Sequence, residues 1–380
     1  MHTSLIPRLF EAILAERLRI SNKIILLYGP RQVGKTTLVH QVLAGFDGRK
    51  LEINADDTDY ADIMSGRSLQ RWRQLVEGYD LLFLDEAQRI PDIGINLKIL
   101  HDGLPNLKII ATGSSSFDLA NKVQEPLTGR TWSFTLFPIG LSELAAQQNR
   151  AEINRRLDDL LVFGAYPEQL SLTNLSLKIE YLREITRSYL YKDILEFGFV
   201  RHAAKLKDLL KLLAFQIGSE VSLNELANKL QIAKETVATY IDLLEKAFVL
   251  FRLPGYSRNL RKEVVRHDKI YFFDLGIRNA VIENFNPVHQ RNDQGQLWEN
   301  FLVVERMKTQ AYRLENANRY FWRTYTGAEL DYVEERGGAL NGFEFKFSTK
   351  TARAPQTWLA TYPEASFQTV NRDNYLDFLL

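Results

Sequence analysis

The sequence contains no cysteine. That excludes disulfide staples, thiolate metal centres and cysteine nucleophiles. It also lacks long apolar runs: none reaches the roughly 18 residues a membrane-spanning helix needs. The opening stretch, MHTSLIPRLFEAILAERLR, interleaves charges with apolar positions at helical intervals, so it reads as an amphipathic helix rather than a signal peptide. Charge of one sign is missing too. Lys and Arg total 48 against 47 Asp and Glu, a formal net charge of +1. Any nucleic-acid contact must therefore come from local basic patches rather than global charge. No membrane partner is expected, and the expected compartment is cytoplasmic. What remains is the profile of a globular protein, 45% hydrophobic and 25% charged. Its 380 residues exceed one ordinary core, which predicts two to four domains.

Residues 26–38 read LLYGPRQVGKTTL. Gly29, then Pro30, Arg31, Gln32 and Val33, then Gly34-Lys35-Thr36 fit the pattern G-x-x-x-x-G-K-[ST] without a mismatch. Lys23 to Tyr28 reads as a buried strand and Thr36 to Leu43 as a helix. A strand, a glycine-containing loop and a helix N-terminus form an anion site, because backbone N–H groups converge and the helix dipole favours negative charge. ATP with Mg²⁺ is the expected ligand, held by Gly29 through Thr37. Lys35 is expected to reach the β- and γ-phosphates, and Thr36 to offer its hydroxyl to the metal.

Tyr79 to Glu86 (YDLLFLDE) is an apolar strand ending in two acids. Asp85 is the candidate for the metal shell, and Glu86 for the base that polarises the attacking water. Leu107 to Thr112 is a third strand, followed by Gly113-Ser114-Ser115-Ser116. Thr112 and Ser114 are candidate γ-phosphate sensors, although such residues are also ordinary turn chemistry. In LTGRTWSFTLFPIGLSEL (127–144), Arg130 is a candidate catalytic arginine, acting on a neighbouring subunit or in cis, or else a plain surface arginine.

GPRQVGKTTL, LLFLDEAQ, ATGSSS and LTGR, in this order and spacing, resemble the prokaryotic AAA-type P-loop ATPases that carry an uncharacterised C-terminal domain. FGAYPE (163–168) resembles the glycine-x-proline element in the helical lid of the related STAND and archaeal-type ATPases, with Gly164 and Pro167 as its marked residues. SYLYKDI (188–194) and KIYFFDLG (269–276) resemble blocks of the C-terminal portion. The resemblance implies ATP binding and slow hydrolysis. AAA-type sites often borrow an arginine from a neighbour, so a homo-oligomer is expected as well.

Residues 151–218 carry helical spacing and read as a lid and connector, with Lys192 and Asp193 as an intrahelical surface pair. In Ser222 to Phe251, SLNELANKL with Ser222 as N-cap, a QIA turn, and KETVATYIDLLEKA with Val237, Ile241 and Leu244 on one face are followed by strands FVLFRL and KIYFFD. That is the order of a winged helix-turn-helix, with Lys234, Thr236 and Thr239 facing any DNA groove. The loop 252–269 holds Arg252, Arg258, Arg261, Lys262, Arg266 and Lys269 against Glu263 and Asp268. It is read either as a phosphate-contacting wing or as a solvated loop on a protein-packing domain.

The last segment runs helix (295–307), strands (319–324, 329–333, 342–348), helix (354–361) and strand (366–370). This order resembles the core of the PD-(D/E)XK nucleases. Asp331 at the end of one strand and Glu344 on the next are its candidate Mg²⁺ ligands. Side chains alternate along a strand, so Glu344 and Lys346 share a face opposite Phe343, Phe345 and Phe347. Glu299 on the helix would complete the acid cluster. Leu330 stands where the motif's proline is usual. A solvated charged face, or a nuclease fold without activity, are the competing readings.

The predicted fold is α/β: an AAA-type P-loop ATPase domain (1–150) with a helical lid and connector (151–218), then a winged helix-turn-helix (219–288) and a small α/β restriction-endonuclease-like domain (289–380). The predicted function is an ATP-dependent switch that associates with DNA. The alternatives are an ATP-gated Mg²⁺-dependent nuclease and a non-enzymatic protein-interaction switch.

Overall fold

A computed structural model describes residues 6–57, 60, 64, 66–114, 127–187, 202–257 and 268–380. Lys192 and Asp193 with the rest of SYLYKDI, Ser115 and Ser116, and Arg258, Arg261, Lys262, Glu263 and Arg266 of the basic loop lie outside the described residues. The chain forms two compact units, one built on Leu5–Pro138 and the other on Ile139–Glu245 and Val249–Leu380. Among the described residues no helix is long and apolar enough to cross a membrane.

The first unit is a five-stranded parallel sheet in the order β2-β3-β4-β1-β5. Its strands are β1 (Ile24–Tyr28), β2 (Lys50–Asn54), β3 (Leu81–Asp85), β4 (Lys108–Gly113) and β5 (Thr131–Thr135). IILLY and LLFLD read as unbroken apolar runs because parallel strands are covered on both faces. Each residue of β1 is buried accordingly. The edge strand β2, KLEIN, buries only Ile53, which is why its weak pattern was not foreseen in the sequence. The helix Phe10–Ile20 seats Phe10, Leu14 and Leu18 inward, as the amphipathic reading requires. Register pairs Tyr28 of β1 with Gly113 of β4, and Leu84 of β3 with Ala111 of β4. The carboxyl ends of β1, β3 and β4 therefore lie side by side at one edge, where α/β sheets bind ligands.

The second unit opens with helices Arg150–Phe163, Pro167–Ser171, Leu175–Ile185 and Ala203–Phe215. Helices Leu223–Leu230 and Lys234–Lys246 follow, the first capped by Ser222, whose hydroxyl accepts from the Glu225 N–H. Val237, Ile241 and Leu244 are buried, as expected. β6 (Leu250–Leu253) and β7 (Lys269–Phe272) then pair antiparallel as a two-stranded ribbon. The helix Gln294–Tyr312 leads to a mixed sheet in the order β11-β10-β9-β8. These strands are β8 (Asn318–Arg323), β9 (Glu329–Arg336), β10 (Ala339–Phe345) and β11 (Ser366–Val370), with only β10 and β11 parallel.

One expectation is corrected here. Asp331 does not end its strand; it is the third residue of β9, which runs on through VEER to Arg336. The acidic tail hides the strand, because buried Glu334 is matched by Arg306 at 2.6 Å. Gly337 and Gly338, both at positive φ (57° and 85°), then close a two-residue hairpin onto β10.

FGAYPE and KIYFFDLG meet in the second unit. Buried Asp274 accepts from the Ala165 N–H at 2.8 Å and caps the helix Leu275–Val281 by accepting from the Ile277 N–H. Burial pushes its carboxyl above the usual carboxylate range. Gly164, at φ +72°, lies so close that a Cβ there would meet Asp274 Oδ1 at 2.0 Å. Pro167 opens its own short helix, a position that has no N–H to lose.

Candidate functional site

The loop between β1 and the helix Lys35–Ala44 is shaped by two glycines. Gly34 holds φ +90° at the helix N-cap. Gly29 packs so closely on the segment after β5 that a Cβ would lie 2.2 Å from the Leu136 carbonyl oxygen. Lys35 is 5% exposed and turns back over the loop, donating to Gly29 O (3.0 Å) and Pro30 O (2.9 Å). Pro30 and Val33 are buried, Arg31 is half-buried, and Gln32 and Thr37 are exposed.

Thr36 Oγ1 donates to Asp85 Oδ2 at 2.8 Å. Fully buried Thr112 donates to the other oxygen, Asp85 Oδ1, and accepts from the Glu86 N–H at 3.3 Å. Glu86 itself sits in the left-handed region at φ +51°, a conformation non-glycine residues seldom adopt. Gln88 Nε2 donates to Glu86 Oε2 and to Ser114 Oγ, the latter at 3.0 Å. The structure thus gathers Lys35, Thr36, Asp85, Glu86, Thr112 and Ser114 at one sheet edge. Thr36 and Asp85 present a hydroxyl and a carboxylate in contact, a donor set suited to a hard cation.

Two residues here escaped the sequence reading. Arg8 is buried and donates to Val33 O and Phe137 O, both at 2.6 Å. Gln88 follows the acids of LLFLDEAQ, where no spacing marks it out in the sequence. Arg130 lies elsewhere. Its carbonyl accepts from the Ile24 N–H, at the beginning of β1, whereas the phosphate loop leaves the end. Five residues of strand separate the two, about 15 Å at the usual rise. Its guanidinium pairs with Asp102 at 2.8 and 3.1 Å and lowers that carboxyl to about 2.

In the second unit the C-terminal acids do gather, with an unforeseen companion. Lys269 of β7 donates to Glu299 Oε1 at 2.9 Å, and Tyr271 Oη donates to the same oxygen at 2.6 Å. Asp331 Oδ2 accepts from the Phe345 N–H at 2.7 Å. Glu344 Oε1 accepts from Lys346 at 2.6 Å, so these two share a face as predicted. Burial raises all three carboxyls, Glu299 to about 7. Burial works against the charge on Lys269, but Glu299 and Asp331 outweigh it and hold the ammonium protonated. Among the described residues no group of three or more His, Cys, Asp or Glu side chains is placed to hold a metal ion. The expected Mg²⁺ set of Asp331, Glu344 and Glu299 is instead engaged by protein donors: one oxygen of each carboxylate accepts from Lys269 and Tyr271 (Glu299), from the Phe345 amide (Asp331) or from Lys346 (Glu344).

On the helix Lys234–Lys246, Lys234 and Thr239 are exposed and Thr236 is half-buried. The two described cations at the ends of the basic loop are not free for phosphate. Arg252 pairs with Asp242 and, at 2.7 Å, with Glu245, while Lys269 is buried on Glu299. Both lie on the strands of the ribbon, facing protein carboxylates.

Comparison with known proteins matches residues 21–145 to an AAA domain, 154–288 to a domain of unknown function (DUF8612) and 294–374 to a domain of unknown function (DUF4143). An uncharacterized protein of Mycobacterium tuberculosis is 31% identical over 333 residues, covering 85% of this chain and 70% of the relative. An uncharacterized protein of Methanocaldococcus jannaschii is 25% identical over 333 residues, covering 83% and 72%. A Walker-type ATPase of Pyrococcus abyssi superposes with a TM-score of 0.49 at 14% identity, covering 74% of this chain and 97% of that one. With its phosphate loop inside the first match and its mixed sheet inside the third, the chain belongs to the family of the mycobacterial protein, and carries an AAA-type P-loop ATPase domain followed by a DUF4143 domain.

Proposed function

We propose that the chain is an ATP-binding and ATP-hydrolysing switch whose nucleotide state controls association with DNA. One observation carries the nucleotide reading: Thr36 and Asp85, from the loop helix and a neighbouring strand end, touch at 2.8 Å beside buried Lys35. The residues from Gly29 to Thr37 would surround the phosphates, Pro30 excepted, with backbone N–H groups. Lys35 exchanges the carbonyls of Gly29 and Pro30 for phosphate oxygens. Thr36 and Asp85 would hold Mg²⁺, whose charge would offset that of the phosphates. Glu86 orients and deprotonates the attacking water, and Gln88, bonded to it, fixes the carboxylate. Thr112 and Ser114 report the γ-phosphate to this pair. Arg130, a strand length from its own loop, serves the site of a neighbouring copy in a homo-oligomer.

On the DNA side, the helix-turn-helix and ribbon act as a winged helix, supported by exposed Lys234 and Thr239 on its second helix. The nuclease-like C-terminal domain adds a platform rather than a cutting centre. Hydrolysis repositions these parts.

Lys35→Ala tests the core of the reading. It should weaken binding of a fluorescent ATP analogue by roughly 100-fold or more; wild-type hydrolysis in that variant would remove the site assignment. Fluorescence anisotropy with duplex DNA, with and without ATP, tests the output. Binding should weaken with salt. If no DNA is retained at low salt in either nucleotide state, the chain is a protein-interaction switch instead.

A further inference from the structure

The acids of the nuclease-like domain are arranged around a protein cation. Lys269 is 6% exposed, and its ammonium lies 2.9 Å from Glu299 Oε1. It is close enough to Asp331 and Glu329 to feel both charges. Tyr271, two residues along β7, points the same way by strand alternation and donates to the same Glu299 oxygen. The backbone around the pair is closed. Lys269 forms a bridge with Glu220, and its ammonium sits 5.5 Å from the centre of the Phe321 ring. Gly218, at φ +72°, donates to Ile270 O at 3.0 Å and packs against the carboxylate, since a Cβ there would lie 3.4 Å from Glu299 Oε2. On the other side Lys346 donates to one oxygen of Glu344, and the Phe345 amide to one oxygen of Asp331.

A divalent ion needs several oxygens free to converge at 2.0–2.6 Å. Here each acid already has a donor, and a second cation would sit against two ammonium groups. Buried carboxylates without a partner cost several kcal/mol, and a cation beside them offsets that cost. β7 delivers one covalently.

We propose that Lys269 is the resident cation of this centre: the β6–β7 ribbon inserts a tethered ammonium beside Glu299 and Asp331, in place of a metal, and thereby keeps the nuclease-like domain from binding Mg²⁺ or Mn²⁺ and from cutting DNA. The ribbon belongs to the helix-turn-helix segment, so the same lysine also fastens that segment to the C-terminal sheet. Metal binding and ribbon docking exclude each other. None of this depends on the phosphate loop, and it stands or falls apart from the ATP reading.

The test is a Mn²⁺ titration of the full chain without nucleotide, followed by electron paramagnetic resonance, on the wild type, Asp331→Asn, Lys269→Met and the double variant. Wild type and Asp331→Asn should bind Mn²⁺ alike. Lys269→Met should gain a site roughly tenfold or more tighter, lost again in the double variant. Lys269→Met that folds only when Mn²⁺ is supplied supports the proposal equally. A wild-type Mn²⁺ site that Asp331→Asn removes overturns it, as does a folded Lys269→Met with no new site. If Lys269→Met folds under neither condition, the comparison of wild type with Asp331→Asn decides alone. A plasmid incubated with wild type, Mg²⁺ and ATP should stay intact; cleavage that Glu344→Ala abolishes also overturns the proposal.

Discussion

Thr36 Oγ1 and Asp85 Oδ2 are joined by a 2.8 Å hydrogen bond, although 49 residues separate them in the chain. The bond ties the first turn of the loop helix to the end of β3. Asp85 is gripped from its other side by Thr112, one strand further along the sheet. The carboxylate is therefore oriented before any ligand arrives, which is what a preorganised phosphate site requires.

Thr112→Val should expose that orientation. It removes the donor to Asp85 Oδ1 and the acceptor for the Glu86 N–H, at nearly constant volume. We expect kcat for ATP to fall about tenfold while the affinity for an ATP analogue changes little, the pattern of a positioning residue. A parallel loss of binding would mean that Thr112 serves the fold instead.

Arg8 should act on the loop from behind. Its guanidinium bridges Val33 O inside the phosphate loop and Phe137 O beyond β5. Lysine cannot reproduce a planar two-pronged grip. Arg8→Ala and Arg8→Lys should each weaken ATP-analogue binding, the alanine by roughly tenfold, with kcat at saturation retained. Unchanged affinity in titrations of Arg8→Ala would refute the coupling.

The legibility of these parts follows their physics. The phosphate loop was readable because anion binding demands glycines, a lysine and a hydroxyl at fixed spacing beside a buried parallel strand. β3 and β4 were readable as apolar runs. Arg8 was not, because a single arginine ahead of a helix has no local pattern and finds its partners 25 and 129 residues away. The pairing of Glu344 with Lys346 followed from strand alternation. The intrusion of Lys269 did not, since it depends on a ribbon pairing that brings residues 269 and 299 together in space. Lys269 looked like one more cation of a basic loop; burial changed its role.

Arg130 gives a prediction about assembly. It lies at the starting edge of the sheet, away from its own phosphate loop. If it acts across a subunit boundary, Arg130→Ala and Lys35→Ala are each nearly inactive alone. Mixed in equal amounts, they should recover measurable ATP turnover, because some sites then combine an intact loop with an intact arginine. A mixture no more active than its components argues that Arg130 only pairs with Asp102.

Gly164→Ala should be severely destabilising. The residue holds φ +72°, and its added methyl would fall 2.0 Å from Asp274 Oδ1. Asp274 cannot move away without giving up the Ala165 N–H and the cap of the helix Leu275–Val281. We expect a loss of about 3 kcal/mol or more, read as a lower urea midpoint for the second unit. A midpoint within error of wild type would show that the glycine is not needed for this contact.

Asp293 should govern how that unit tolerates acid. Its carboxylate accepts from Arg278 at 2.6 Å and from Arg291 at 2.8 Å on both oxygens. The two guanidinium side chains are 2% and 0% exposed. Burial pushes the carboxyl upward, but the hydrogen bonds from Arg291 and Arg278 outweigh it and hold it down to about 2, against 3.8 for the free group. The folded pKa lies below the unfolded one, so the carboxylate stabilises the fold at any pH well above 3.8. That contribution is lost as pH falls from there towards about 2. Asp293→Asn leaves two buried cations without a counter-charge and should cost about 3 kcal/mol or more at pH 7. Because the wild type itself loses the charge in acid, the stability gap between the two proteins should narrow as pH falls from about 4 towards about 2. Urea titrations across that window check the sign. A gap that stays constant, or widens, would mean that Asp293 acts through shape alone and that the arginines find their counter-charge elsewhere.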